Sequence, residues 1–411
     1  MTLEDLRQKR IAIVGLGVNN ENLAQYFGKK NLAYDVVEWQ SIAGLSAKLK
    51  NYQIIFRTPG LPLLSQPVQG ALSAGATIYS QTKLFFDLCP CPIVGITGTK
   101  GKGTTASLLY EILKAGGRKV WLAGNIGYDP FEFLDELTSE DLVILELSSF
   151  QLQDLHKSPH IAVITNVYSD HLNHHADMEE YARAKGQLLA NQGKDDIAIL
   201  NIRLSPYFFK LGQGKKVTFR RDDALRYYPW KLLGAHNEEN IAAAAVAAKE
   251  LGASEEVIRR TVAEFKPLPH RLNPVGIYKG ITIIDDSFST NAESAIEAMH
   301  AFFKEPKILM IGGFDKGLDF TFLGNEILRA KQLRGLVVFG QVTGKILKAV
   351  EGYKGKILTG AKNITEILQQ ALSMAEKGDV IIFSPATSSF DMFKNESDRG
   401  EQFVKAVSEL K

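Results

Sequence analysis

Pro92-Ile-Val-Gly-Ile-Thr-Gly-Thr-Lys-Gly-Lys-Gly-Thr-Thr105 is the stretch that decides the fold. Ile93, Val94 and Ile96 form an apolar run that predicts a buried strand, and a helix-like stretch follows from Thr104 to Lys114. Between them lies a glycine-rich loop. Strand, glycine loop and helix start together make a phosphate cradle: glycines let backbone N–H groups approach phosphate oxygens, the helix start adds partial positive charge, and a lysine supplies a full one. Gly98, Thr99, Lys100, Gly101, Lys102, Gly103, Thr104 and Thr105 are therefore the candidate ATP- or GTP-binding set. The spacing is not that of the common phosphate loop. Two residues, not four, separate Gly98 from the Gly101-Lys102 pair, and Gly103 stands where Ser or Thr is usual. The segment read alone also fits a plain strand-to-helix turn.

Outward from this loop, the 411 residues are enough for two or three domains. The 48 basic and 46 acidic side chains leave a net charge of +2, which gives no electrostatic reason to expect nucleic acid or a membrane surface as partner. No apolar run is long enough to span a bilayer, and Met1–Arg10 lacks a signal-peptide core. Cys89 and Cys91 flank Pro90 and are too few for a disulfide framework or a four-thiolate zinc site, so both are expected reduced. These features point to a cytoplasmic enzyme, expected to act as a monomer.

The fold class expected is α/β in three domains. In residues 1–90, Lys9-Arg-Ile-Ala-Ile-Val-Gly-Leu-Gly17 reads as the first strand and turn of a Rossmann-like unit. The third glycine of the dinucleotide fingerprint is missing, since position 20 is Asn. Strands follow at 34–37, ending at Glu38, and at 53–56. Pro90 and Pro92 mark a boundary to a central domain, 91–266, with strands at 142–145 and 161–165 and helices at 178–190 and 239–251. Strands alternating with helices imply a mostly parallel sheet covered on both faces. Phe265-Lys-Pro-Leu-Pro-His-Arg271 is a second proline-marked hinge. Beyond it, 267–411 restarts the alternation as a second Rossmann-like domain.

Several polar residues stand where chemistry is done in such folds. Glu146 ends a predicted strand, as a magnesium ligand would, although a strand-end ion pair explains it as well. Asn166 to His175 follows another strand. Its His171, His174 and His175 lack the companion ligands of a zinc site, and a magnesium or phosphate role suits Asp170 and His171 better. Lys185 lies on a helix, where a solvated lysine is the default. Asn237 and Asn240 can cap a helix or read a base edge. Arg271 can grip a phosphate with two donors, and Asp286 sits at a strand end.

Taken in order, these residues resemble the Mur ligase family, and within it the branch that adds glutamate to UDP-N-acetylmuramoyl-alanine. The resemblance covers essentially the whole chain. It rests on Thr97–Thr105, Gly124-Asn-Ile-Gly127, Glu146-Leu-Ser-Ser149, Asn166 with Asp170-His171, and Tyr181-Ala-Arg-Ala-Lys185. It continues through Gly234–Asn240, Leu268-Pro-His-Arg271, Asp286-Ser with Thr290-Asn291, Gly312-Gly-Phe-Asp-Lys316, and Ser384-Pro-Ala with Ser389, Asp391, Phe393, Asn395 and Arg399-Gly400.

The resemblance implies an N-terminal UDP-substrate domain, a central ATPase domain and a C-terminal domain that takes the amino acid. It implies an acyl-phosphate route from UDP-N-acetylmuramoyl-L-alanine, glutamate and ATP. Lys102, Lys185, His171 and Glu146 would be catalytic. Glu146, His171, Thr104 and a carbamylated Lys185 would hold two Mg2+ ions. Asn237, Asn240, Arg271 and Asp286 would complete the ATP site. Gly15, Leu16, Gly17, Val18 and Glu38 would take the UDP moiety, Asn125 would face the muramoyl part, Lys316 and Ser389 would grip the amino acid's carboxylates, and Ser148 and Thr290 would also bind substrate. Phe288 stands where glutamate ligases of this kind often carry lysine, which leaves the stereochemistry of the amino acid open, and Asn273 stands where an acid often follows the His-Arg pair. The rivals are ligases for other amino acids, folylpolyglutamate synthase, which lacks an N-terminal UDP domain, and a nucleotide-binding regulator that makes no bond.

Overall fold

The alternation of β-branched runs with helical stretches produces three sheets. The computed structural model describes residues 1–38, 42–168 and 175–410. Asp170 and His171 lie outside these residues, as does the side chain of Val18. The first sheet has β1 (Ile11–Val14), β2 (Asp35–Val37), β3 (Ile54–Arg57) and β4 (Thr77–Tyr79), in the order β2-β1-β3-β4, all parallel. The second has β5 (Ile93–Thr97), β6 (Val120–Gly124), β7 (Leu142–Glu146), β8 (Ile161–Ile164), β9 (Ile197–Asn201) and β10 (Lys215–Phe219), in the order β10-β9-β8-β5-β7-β6 and again parallel. The third has β11 (Asn273–Tyr278), β12 (Ile281–Asp285), β13 (Lys307–Gly312), β14 (Leu333–Phe339), β15 (Lys356–Thr359) and β16 (Val380–Phe383), in the order β11-β12-β16-β13-β14-β15. Only its edge pair, β11 with β12, is antiparallel.

The chain divides into two compact units, Met1–Trp230 with Glu238–Glu264, and Lys231–Asn237 with Phe265–Lys411. The first two sheets belong to the first unit and share one hydrophobic cluster. Phe27, Phe56 and Phe85 meet Ile93, Val143 and Ile164 there. Cys89 and Cys91, in the segment leading into β5, are both free thiols. Among the described residues no helix is long and apolar enough to cross a membrane.

Central strands β5, β7, β8, β13 and β16 are buried along their whole length, as parallel strands covered on both faces must be. Two boundaries differ usefully from expectation. The helix after β5 starts at Lys102, not Thr104, so the loop lysine is itself the first helical residue. The alanine-rich helix starts at His236, not Glu239, because its polar first turn hides the helical period.

Helix position decides where clefts can open. After β5 the chain enters the helix Lys102–Ala115, which packs on β5, β6 and β7. After β8 it reaches the helix Met178–Ala190, whose Leu188 and Leu189 join Ile93, Ala162 and Ile164 on the other face. Adjacent strands β5 and β8 therefore send their connections to opposite faces, and a crevice opens at their carboxyl ends. The third sheet repeats the device around β16. The helices Ala292–Ala301 and Thr321–Arg329, which follow β12 and β13, cover one face, and Glu396–Ser408, which follows β16, covers the other.

Candidate active site

In the first unit the crevice at β5 and β8 holds the glycine loop. Gly98 has φ 156° and Gly101 φ 80°, and Gly101 is the N-cap of the helix Lys102–Ala115. A Cβ on Gly98 would stand 1.9 Å from Thr165 Oγ1, and one on Gly101 would stand 1.9 Å from Asn240 Oδ1. Both positions thus need glycine for space as well as for conformation. Asn166, just beyond β8, moulds the loop: its Oδ1 accepts from the N–H groups of Thr99 (3.1 Å) and Lys100 (2.8 Å), and its Nδ2 donates to the Lys100 carbonyl (3.1 Å). Thr165 Oγ1 donates to the same carbonyl at 2.7 Å.

Two ammonium groups converge on this loop. Lys102 Nζ donates to the carbonyls of Gly98 (3.1 Å) and Thr99 (3.2 Å). Lys185 Nζ donates to the Gly98 carbonyl at 2.8 Å. Lys185 is not the solvated lysine that its place on a helix suggests. It is 1% exposed, with its ammonium 4.6 Å from the centroid of the Tyr181 ring. Tyr181 in turn shares a hydrogen bond with Thr99 Oγ1 at 3.1 Å. Lys102 and Lys185 thus meet on one carbonyl oxygen, at the loop where phosphate oxygens would lie.

Glu146 ends β7, whose register pairs it with Ile96 of β5, and its side chain is largely buried. Among the described residues no cluster of three or more His, Cys, Asp or Glu side chains could by itself cage a metal. The donor set nevertheless fits a hard cation that keeps phosphate and water oxygens as its other ligands. A buried carboxylate stands one strand from the phosphate loop, and Thr105 Oγ1 is buried without a hydrogen-bond partner. The orphaned hydroxyl is that of Thr105, whereas the sequence singles out Thr104, which is buried too.

Asn125 and Ser148 are brought together by a residue that the sequence reading missed. Gln151 Oε1 accepts from Asn125 Nδ2 (3.0 Å), Ser148 N (2.8 Å) and Ser148 Oγ (2.9 Å). The signal was present as a capping pair, Ser148 with Gln at the third helical position. Among the described residues His175 belongs to no cluster that could hold a metal ion. It is buried between Ser149 Oγ (2.8 Å) and the Glu180 carboxylate and stacks on Phe150. In the first sheet, Gly15 (φ 69°) and Leu16 lead into the helix Gly17–Lys29. Asn20, which replaces the missing glycine, donates from Nδ2 to the Gly15 carbonyl at 3.0 Å and so fastens that turn. Glu38 is exposed just after β2.

In the second unit the candidate residues stand just beyond the carboxyl ends of β12, β13 and β16. Asp286, beyond β12, accepts from Leu272 N (3.1 Å) and Ser384 Oγ (2.7 Å). Arg271 lies over the Phe288 ring at 5.4 Å, and the other partner of that ring is His270, stacked at 5.6 Å and held by Asp285. Ser389 Oγ is buried with no hydrogen-bond partner. Thr290 is half-buried and Lys316 exposed on the loops after β12 and β13. Asn237 donates from Nδ2 to the Leu233 carbonyl at 2.6 Å and belongs to this unit, whereas Asn240 belongs to the first.

Burial pushes the Asp286 carboxyl up to about 6 from 3.8, against the opposing pull of Ser384, the Leu272 amide, Arg271 and His236. The folded protein then holds a proton that the unfolded chain has released. Stability is lost as pH rises from about 4 to about 6, by an order-of-magnitude 3 kcal/mol, and the loss is complete above that window. Asp286→Asn is therefore expected to raise the urea midpoint at about pH 8 and to raise it clearly less at about pH 4.5. An equal shift at both values would refute the assignment.

A phosphate-binding loop at one switch point and a hydroxyl- and cation-lined crevice at another define a nucleotide-dependent α/β enzyme. Comparison with known proteins agrees. Residues 96–224 match the Mur ligase middle domain, and residues 270–387 match the Mur ligase glutamate ligase domain. The chain is 34% identical to the UDP-N-acetylmuramoylalanine–D-glutamate ligase of Symbiobacterium thermophilum, over 98% of each chain. It is 32% identical to that of Acetivibrio thermocellus, over 98% of this chain and 97% of the relative. In fold it resembles the MurF ligase of Thermotoga maritima solved with ADP, with TM-score 0.60 and 20% identity over 83% of this chain and 90% of that one. It also resembles the UDP-N-acetylmuramate-alanine ligase of the same organism, with TM-score 0.61 and 16% identity over 98% and 100%. The chain belongs to the Mur ligase family.

Proposed function

We propose that this chain is an ATP-dependent ligase that joins D-glutamate to UDP-N-acetylmuramoyl-L-alanine, a step of peptidoglycan precursor synthesis in the cytoplasm. The observation that carries the reading is the convergence of the Lys102 and Lys185 side chains on the Gly98 carbonyl, one strand from Glu146, in a chain of this family. The UDP-linked alanine carboxylate takes the γ-phosphoryl group, forming an acyl phosphate and releasing ADP. The glutamate amine then attacks the acyl carbon, and the tetrahedral adduct expels phosphate and leaves an amide.

Charge develops on phosphoryl and acyl oxygens, so positioning and cations dominate catalysis. Lys102 holds the β- and γ-phosphates, and the loop amides from Gly98 to Thr105 cradle them. In the first unit Asn240 joins that loop, and Asn237, Arg271 and Asp286 are the second unit's candidates for binding the nucleotide. Mg2+ bound by Glu146, by the loop hydroxyls and by Lys185 as its carbamate would neutralise phosphoryl charge. His171, placed in that set by the family resemblance, lies outside the described residues. The turn Gly15–Val18 with Glu38 takes UDP, and Asn125 and Ser148 face the muramoyl group. Thr290, Lys316 and Ser389 receive the two carboxylates of glutamate. A three-domain division at about residues 90 and 266 goes with these three ligands.

The test is phosphate release with and without UDP-N-acetylmuramoyl-L-alanine and each candidate amino acid. D-Glutamate is expected to give the highest kcat/KM among D-glutamate, L-glutamate, D-aspartate, L-lysine and meso-diaminopimelate, because a site built for charged oxygens rejects ligands lacking them. Preference for a diamino acid would overturn the glutamate assignment. Preference for L-glutamate would overturn its stereochemistry alone, and Phe288 is the residue to replace by lysine in that case.

A further inference from the structure

Arg399-Gly400 is a pair that the mechanism above does not use. Both residues lie near the start of the helix Glu396–Ser408, whose N-cap Asn395 fastens it by accepting from Asp398 N. The Arg399 side chain is 0% exposed. Its Nη1 donates to the Thr387 carbonyl at 2.9 Å and its Nη2 to the Ser287 carbonyl at 2.6 Å. Thr387 Oγ1 donates onward to the Phe314 carbonyl at 2.7 Å, and Phe314 N–H returns a bond to the Ser388 carbonyl at 2.9 Å. One guanidinium thus joins the loops after β12 and β16 directly, and the loop after β13 at one remove. Those loops carry Thr290, Ser389 and Lys316.

Gly400 acts by lacking a side chain. A Cβ there would stand 2.2 Å from His270 Nδ1 and 2.5 Å from Ser287 Oγ. The helix can approach this closely only with glycine. Burial of the guanidinium is costly, and desolvation pushes Arg399 down to about 10. Two carbonyls from different loops match the planar fork of arginine, whereas a single lysine ammonium is a point donor that cannot reproduce it. The hydroxyls of Ser287, Ser289 and Ser389 are buried in the same unit without hydrogen-bond partners.

We propose that Arg399 is a positioning residue for amino-acid binding, holding the three loops of the crevice in register while Gly400 admits the helix that carries it. The proposal rests on the reading of that crevice as the glutamate site. Arg399→Gln and Arg399→Lys should be compared with the parent enzyme by steady-state kinetics and by amide hydrogen exchange. Arg399→Gln is expected to raise KM for glutamate at least about tenfold, clearly more than KM for ATP, while lowering kcat less than about threefold. Exchange should accelerate in peptides covering 286–291, 312–317 and 384–389 and not in the β13 and β16 interiors. Arg399→Lys should fall between the two. Unchanged loop exchange, or equal increases in both KM values, would overturn the proposal. If Arg399→Gln does not fold, Arg399→Lys decides: parent-like KM and exchange reject the clamp, and an intermediate shift supports it. If the parent enzyme shows no glutamate-dependent turnover, the reading of the site fails, and loop exchange alone still judges the clamp.

Discussion

Lys102→Ala is expected to abolish ATP-dependent ligation while leaving the protein folded. Lys102 opens the helix that starts at the phosphate loop, and its ammonium already sits on the Gly98 and Thr99 carbonyls. Backbone amides can orient a phosphate, but they supply only partial charge. Loss of one preorganised charge at a transferring phosphoryl group costs on the order of 3 kcal/mol of barrier or more, a fall in kcat of at least about a hundredfold. The fold should tolerate the change. The residue is only half-buried, the loop keeps its bonds to Asn166, and the Gly98 carbonyl keeps Lys185. Near-parent turnover in a folded variant would remove Lys102 from the mechanism.

A comparable loss is expected for Lys185, with a different signature. The side chain is almost wholly buried, with its ammonium on Gly98 and over the Tyr181 ring. Truncation to alanine removes a buried four-carbon stem as well as the charge, so a stability cost of about 2 kcal/mol or more accompanies the loss of activity. Lys185→Met keeps the volume and separates the two effects: it should fold like the parent and still fail to turn over. If the working group is a carbamate, a short carboxylic acid in the buffer should restore part of the activity of Lys185→Ala, because it returns a carboxylate to the cavity. A carbamate forms only on a neutral amine, and burial away from water favours that form in general. Labelled bicarbonate should then give a carbamate carbon signal that disappears in Lys185→Met. Full activity in Lys185→Met would dispose of the idea.

Lys185 also shows where sequence reading stops. Its helix was legible to the residue, Met178–Ala190, from an Asp cap, acidic first-turn residues and a helical period. That period says which residues share a face, but not what that face meets. The meeting partner, Gly98, lies 87 positions away in the chain. Asn166 is a similar case. Its neighbours predict only a strand end, and its hold on the loop at Thr99 and Lys100 comes from β8 pairing beside β5.

The sequence by itself determined the α/β class, the strands it pointed to, to within a few residues, and the glycine loop, while the candidate ligand residues came from the family resemblance. It could do so because strand and helix periods are local, and because glycine spacing at a phosphate loop is a local steric requirement. Tertiary structure alone decided that Lys185 is buried, that Gln151 joins Asn125 to Ser148, that Asn20 fastens the Gly15 turn, and that Arg399 bridges two loops. Each of these depends on which strands lie side by side and on which face the next helix crosses. Strand order brings Ser287 and Arg399 together across 112 positions, and no local pattern encodes that distance. Opposed helices on neighbouring strands open the crevices in both units, so the sites exist only once the sheets are assembled.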